Sequence, residues 1–244
     1  VTSAPLSQQR LLIDLQRLDS QLARLTHERK HLPVLERIEA TVQRLKLNRR
    51  RAVVAAAALD EAQANAKTRE EEVDQVVHRA QVLRERLSSG AAPARELTAI
   101  QSEIDQLGRR QAVLEEAQIA AMEQLEAART EVDAAAAEEK EIRAGGRELT
   151  AARDADFARL DAEIADARGK RNDLAAAIGD ALLAEYEAVR KSTGGLGAVA
   201  LHGRRVEGGG VEISPQEYAR IAAAPQDRVI HAEENDVIVV RMED

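Results

Sequence analysis

The chain of 244 residues has no cysteine and no tryptophan, and its aromatic residues are Phe157, Tyr186 and Tyr218 alone. Without cysteine there is no disulfide and no thiolate to hold a metal. Three aromatic rings cannot fill a thick core, so the apolar content, 44% of the residues and largely alanine, leucine and valine, must be buried in some thinner arrangement. No run of about 18 apolar residues is present to span a bilayer, and residues 1–6 lack the basic start and apolar centre of a secretory signal. Charge of one sign is missing too: 32% of residues are charged, the formal net charge is −8, and both the first 192 residues and the remainder are acidic. These absences lead us to expect a cytoplasmic protein without membrane association, for which nucleic acid is a disfavoured partner.

What is present is a seam. Leu11, Leu15, Leu18, Leu22 and Leu25 are spaced by alternating fours and threes, and after Pro33 the pattern resumes at Leu35, Ile38, Val42 and Leu45. It continues through Ala52, Ala56, Leu59, Ala66, Val73, Val76, Ala80, Leu83 and Leu87. Such spacing places the apolar side chains on one narrow stripe, which a helix buries against a second helix. Residues 88–93, Ser-Ser-Gly-Ala-Ala-Pro, are the strongest turn signal of the first two hundred residues. A return arm then carries Leu97, Ile100, Ile104, Leu107, Leu114, Ala121, Leu125, Ala128, Val132, Ala135 and Ile142 at the same spacing.

The fold expected is therefore mainly α, a long antiparallel coiled-coil hairpin over residues 1–192, turning near 88–93. Pro33 and Gly145-Gly146 lie nearly equidistant from Gly90, so helix breaks at both would set kinks at one height. Alanine-rich stretches, 52–66 on one arm and 117–128 on the other, face each other and bury little area per contact, so the middle should be the less stable part. Residues 193–244 read as a small separate α/β module. Its strands are expected at 198–201 and 237–240 with Val229-Ile230 between them, and its short helix follows Ser214-Pro215-Gln216-Glu217, a capping residue with proline behind it and a glutamate three positions on.

Several of these segments resemble one known family. Leu15-Gln16-Arg17-Leu18-Asp19, Leu32-Pro33, Ser89-Gly90 with Pro93-Ala94-Arg95-Glu96-Leu97, Tyr186-Glu187-Ala188-Val189-Arg190 with Gly194-Gly195, and Gly203-Arg204-Arg205 are similar to the bacterial C4-type zinc-ribbon family with an N-terminal coiled-coil hairpin. In that family a Cys-x-x-Cys-Gly follows the paired arginines and a second precedes the last strand. The four ligand positions implied by the resemblance fall here on Val206, Gly209, Ala232 and Asn235, none of which is a zinc thiolate. The implied module is thus a degenerate ribbon with no metal or cofactor, and Val206, Val211, Ile213, Ile221, Val229, Ile230 and Ile238 are the candidates for a substitute core. The implied function is an adaptor or chaperone-like protein.

Two motifs invite chemistry. His27-Glu28-Arg29-Lys30-His31 fits H-E-x-x-H literally. A zinc hydrolase also needs a third ligand and a cleft, which a two-helix rod lacks, so we read both histidines as solvated or capping a helix end. Arg44, Lys46, Arg49, Arg50 and Arg51 form the one strongly basic stretch, and with Arg204 and Arg205 they are the candidate nucleic-acid contacts. The plainer reading of the stretch pairs its arginines with glutamates across the hairpin. His202 and His231, near Glu207, Glu233 and Asp236, are read as exposed polar residues rather than a replacement metal site, and the glycine-rich segments as turns.

No catalytic constellation stands beside the seam. We therefore expect a non-enzymatic protein that binds partner proteins through the hairpin tip, where Pro93, Arg95, Glu96 and Leu97 are the candidate contacts, and through the C-terminal module. The alternative is nucleic-acid binding. Monomer and homodimer are both open, with Val53, Val54, Ile119 and Met122 as candidate dimer contacts.

Overall fold

A computed structural model describes residues 3–90, 93–207 and 213–242. Among these the elements run α1 (Leu6–Lys30), α2 (Pro33–Ser88), α3 (Ala94–Ala176), α4 (Asp180–Ser192), β1 (Ala198–His202), β2 (Arg205–Glu207), α5 (Pro215–Ala223) and β3 (Ile238–Arg241). The chain divides into two compact units, Glu36–Thr150 and the combination of Val1–Leu35 with Ala151–Asp244.

In the first of these units α2 and α3 run antiparallel. Arg44 with Glu138, Arg51 with Glu131, Arg79 with Glu103 and Arg86 with Glu96 are bonded across the arms at 2.7 to 3.0 Å. Positions 44 and 51, and again 79 and 86, are one heptad apart, and their partners descend α3 by the same step. Exposed ion pairs of this kind add little stability each. Their consequence is register, because a one-heptad slip would leave half of them unmatched. Leu83, Ile100 and Ile104 close the core beneath the tip, with Leu87 and Leu107 packed against them. There α2 ends at Ser88 and Gly90 adopts φ 67°, the left-handed cap that glycine takes without penalty.

The seam differs from the expected one at particular positions. Val42 and Ala56 face solvent, and Thr41 and Ala55 take their places in the stripe. Asn48 is also buried in the seam, where its amide donates to Glu138 at 3.1 Å. No break occurs at Gly145-Gly146: α3 is continuous for 83 residues. A helical glycine costs only about 1 kcal/mol relative to alanine, and the unbroken seam outweighs that. Gly146 lies opposite Thr41 of α2. The break at Pro33 is present, with α1 ending at Lys30 and His31 donating its amide to the carbonyls of His27 and Glu28.

In the other unit the strands lie in the order β2-β1-β3, β1 antiparallel to β2 and parallel to β3. Alternation along the strands sends side chains to two faces. Ala198, Ala200, Ile238 and Val240 join Leu12, Leu15, Ile178, Leu182, Tyr186 and Val189 in one core against α1 and α4. Val199, Leu201, Val237 and Val239 join Ile221, Ile230 and Ala232 in a second. The C-terminal sheet is thus not the separate module expected, because one of its faces is built into the helical base. The expected short helix is present as α5, whose Ser214 side chain accepts the Glu217 amide at 3.1 Å. The break at residues 177–179 between α3 and α4 has no counterpart in the expected pattern.

Candidate functional site

The densest polar cluster of the chain forms where α1, α3, α4 and the start of β1 meet. Gln9, Leu12, Gln16 and Asp19 occupy successive turns of one buried stripe on α1. The Asp19 carboxylate, 5% exposed as a residue, accepts the Tyr186 hydroxyl at 2.8 Å and the Arg171 Nε at 2.7 Å. Arg171 also bonds Glu187, which in turn takes Arg190 at 3.0 Å, and Arg190 lies 3.6 Å from Asp19. Gln16 Oε1 accepts the Gly197 amide at 2.6 Å while its Nε2 donates to the Gly195 carbonyl at 3.0 Å. One glutamine and one aspartate, three residues apart, thereby fasten three helices and the entry to the sheet.

The electrostatics of the cluster lock it rather than activate it. Burial pushes the Tyr186 phenol well above its ordinary range, and the neighbouring Asp19 charge adds to the rise. Bonding to Asp19 and Glu187 holds Arg171 more firmly protonated than usual. A phenol and a guanidinium so fixed have no base or nucleophile role at neutral pH. Gly197 shows how tight the cluster is, since a Cβ there would fall 2.4 Å from the Tyr186 ring.

Most residues of this cluster stand in the segments that carry the family resemblance, although sequence reasoning gave them no role. The missing signal is that Gln16 and Asp19 occupy a buried helix stripe without being apolar.

The other candidate residues fall elsewhere. Arg44, Arg49 and Arg51 are bound to Glu138, Glu139 and Glu131, as the plainer reading expected, while Lys46 and Arg50 are exposed. These bonds hold Glu138 and Glu139 below the usual carboxylate range, through Arg44 and Asn48 at the first and Arg143 and Arg49 at the second. Arg204 lies over the Tyr218 ring at 5.4 Å, and Arg205 is exposed on β2. At the tip Glu96 pairs with Arg86, Arg95 is exposed and Leu97 is half-buried.

His27 and His31 stack at 4.1 Å between centroids, and the carbonyl of His27 accepts from His31 Nδ1. Glu28 is drawn to Arg159 rather than to either imidazole. His202 lies 3.8 Å from Glu207, whereas His231 bonds Glu185 and the Asp236 carbonyl, so the two histidines serve separate clusters. Both His202 and His231 are half-buried rather than exposed.

Among the described residues no group of three or more histidines and carboxylates is arranged to hold a metal. The ligand positions implied by the resemblance do not fit zinc either. Val206 and Ala232 belong to the second apolar core, and Asn235 Oδ1 accepts the Val237 amide at 3.3 Å. Gly209 and Val211 lie outside the described residues. Of the candidate substitute core, Val206, Ile213, Ile221 and Ile230 join this cluster, whereas Val229 and Ile238 face α1 and α4. No helix among the described residues is long and apolar enough to cross a membrane.

With this geometry in hand, comparison with known proteins is informative. The model of the CT398-like coiled coil hairpin domain matches residues 15–194. The Mycobacterium tuberculosis protein Rv2229c is 35% identical over 247 residues, covering 98% of both sequences. A solved structure from Mycobacterium smegmatis is similar with a TM-score of 0.82 at 34% identity, over 98% of this chain and 100% of that one. CT398 from Chlamydia trachomatis, 14% identical, shares the fold with a TM-score of 0.65 over 97% and 98% of the two chains.

Proposed function

The chain belongs to the CT398-like coiled coil hairpin domain family, and from that premise we propose that it is a non-enzymatic adaptor whose hairpin and C-terminal module present surfaces to partner proteins. One observation carries the reading. Among the described residues the large apolar side chains left exposed are Val42, Leu47, Val53, Val54, Val82, Val113, Ile119 and Met122, and all lie on the 36–150 unit. Leu47 and Val54 share one helix stripe at a spacing of seven, and Val53 adjoins them at 71% exposure. Ile119 and Met122 share another at a spacing of three. Grouped apolar side chains on an otherwise charged two-helix arm mark a binding surface rather than a packing defect.

The mechanism is one of reach. Arms of this unit extend on the order of 80 Å at about 1.5 Å per residue, which separates the tip residues Pro93, Arg95, Glu96 and Leu97 from the base of the unit. We read the C-terminal sheet with α5 as a degenerate zinc ribbon in which two of the ligand positions, Val206 and Ala232, have passed to apolar packing, and assign it the second partner surface.

The test is photo-crosslinking in cells from positions 54 and 95, with mass spectrometry of the products. A recurring protein product is expected, lost from position 54 when Leu47→Asp and Val53→Asp are combined. A product set unchanged by those substitutions, or one consisting of nuclease-sensitive material, refutes the proposal.

A further inference from the structure

We propose that a groove between the C-terminal half of α1, residues 168–172 of α3 and the C-terminal end of α4 binds a compact phosphate-bearing anion of diphosphate size. The groove encloses about 670 Å³. Its charged lining consists of Lys30, Arg168, Arg171, Arg190 and Asp19, with His27 and His31 beside them. Four permanent cations stand against Asp19 and against Glu187, which bonds two of them, a positive balance in a chain whose net charge is −8.

The carboxylate does not repel a ligand as an exposed one would. Asp19 is buried and already accepts from Tyr186 and Arg171. Together with Glu187 it neutralises Arg171 and Arg190 and, more usefully, fixes their guanidinium planes. Preorganised guanidinium groups lose little entropy on meeting a phosphate. Lys30 and Arg168 are exposed and make no ion pair within 4 Å among the described residues, and Asp161, a carboxylate that feels the Arg168 charge, is itself bonded to Arg29. Asp19 and Glu187 take the Nε and Nη2 of both arginines, which leaves their Nη1 donors. Two uncompensated cations and two such fixed donors, arriving from three helices, suit a polyanion with acceptors on several sides. A single carboxylate would meet one or two of these groups and leave the rest. No aromatic ring other than the two imidazoles lines the groove, so a base or sugar would add little.

The intact chain provides its own reporters, because it has five histidines and two of them line the groove. Titration with inorganic pyrophosphate at low salt, followed by calorimetry and by imidazole proton shifts, should give one saturable site. The His27 and His31 signals should move while those of His78, His202 and His231 stay. Lys30→Glu and Arg168→Glu should each weaken binding by about tenfold or more, Arg168→Lys should retain most of it, and Arg50→Glu on the other unit, with the same change in charge, should leave it within about twofold.

Absence of saturation, shifts at the other histidines, or equal weakening by Arg50→Glu overturns the proposal. Should Arg168→Glu unfold, as far-UV circular dichroism would reveal, Arg168→Gln carries the same expectation. A parallel titration with a nucleoside diphosphate should match pyrophosphate. A single-stranded oligonucleotide that binds where pyrophosphate does not would assign the groove to nucleic acid and defeat the inference.

Discussion

Replacing Tyr186 by phenylalanine removes one oxygen from the centre of the polar cluster and leaves the ring where it is. The hydroxyl donates to the Asp19 carboxylate at 2.8 Å, in a site where the tyrosine is wholly buried. A buried hydrogen bond to a charged group is worth about 1.5–3 kcal/mol. Asp19 keeps Arg171 at 2.7 Å and the ring keeps its packing against Gly197, so neither relieves nor enlarges the loss much. We expect Tyr186→Phe to cost about 2 kcal/mol, which for a chain of this size lowers Tm by roughly 4–8 °C. Urea unfolding monitored by circular dichroism measures the first, and hydrogen exchange should place the loosening at residues 12–25 and 186–201. Tyr218→Phe is the control, because that half-buried ring has Arg204 across its face, and it should stay within about 0.5 kcal/mol. A double cycle with Asp19→Asn should give a coupling of about 1 kcal/mol or more. If Tyr186→Phe is as stable as the parent chain, the cluster is not what fastens the helices to the sheet.

Three further outcomes follow from the geometry. Gly145→Ala meets nothing within 4 Å and Gly146→Ala would touch Thr41 at an ordinary 3.6 Å, so each should stabilise the chain by about 0.5–1 kcal/mol; Gly197→Ala, with its 2.4 Å clash, should do the opposite, and thermal unfolding distinguishes them. His231 faces an acceptor on each ring nitrogen, the Asp236 carbonyl at 2.8 Å and Glu185 at 2.6 Å; burial lowers its pKa, but the bonds from Asp236 and Glu185 outweigh it and the net shift is upward. Its stabilisation is therefore full below the unfolded pKa of about 6.5 and lost as pH rises through the folded value, so His231→Ala should flatten the decline in stability measured between about pH 6 and 8. Backbone exchange should be faster in residues 52–66 and 117–128 than in the leucine and isoleucine core below the tip, and uniform protection along the arms would contradict the area argument.

Where side chains are apolar, the sequence alone located the arms, the turn and the breaker at Pro33, because hydrophobic spacing and helix-ending chemistry are local properties. It failed where polar residues do apolar work. Thr41 and Asn48 hold seam positions that a search for leucine and valine passes over, and it shifted the reading to Val42. Gln9, Gln16 and Asp19 stand with Leu12 on a second buried stripe of α1 that is apolar at that one position, and the partners of Gln16 and Asp19 on α3 and α4 lie more than 150 residues away. Glycine misled in the opposite direction. Gly145-Gly146 carries a strong local signal for a break, yet a seam running the length of α3 sets its conformation from outside. The C-terminal sheet was legible as strands but not as part of the helical base, since Ala198 and Ala200 reveal their facing only once Leu12 and Tyr186 are seen beneath them.

The same two-sided burial explains how the C-terminal sheet, whose sequence resembles a zinc ribbon, holds its shape with no cysteine. A structural zinc site joins two knuckles that would otherwise be loops, and it commonly supplies the folding energy of so small a module. Here the second knuckle is closed by its own backbone: Ala232 donates to Val237 and accepts from Asp236, and Val239 reaches Ile230 at 2.8 Å. Asp236 takes a left-handed φ of 59° to make that turn, a conformation aspartate tolerates better than most residues. His231 then ties the knuckle to α4 through Glu185. The sheet is covered on both faces, one by α1 and α4 and the other by α5. Each covered valine, leucine or isoleucine contributes roughly 1.5–3 kcal/mol. The consequence is coupling: a sheet held by Leu12, Leu15 and Tyr186 cannot lose the helical base and keep its shape.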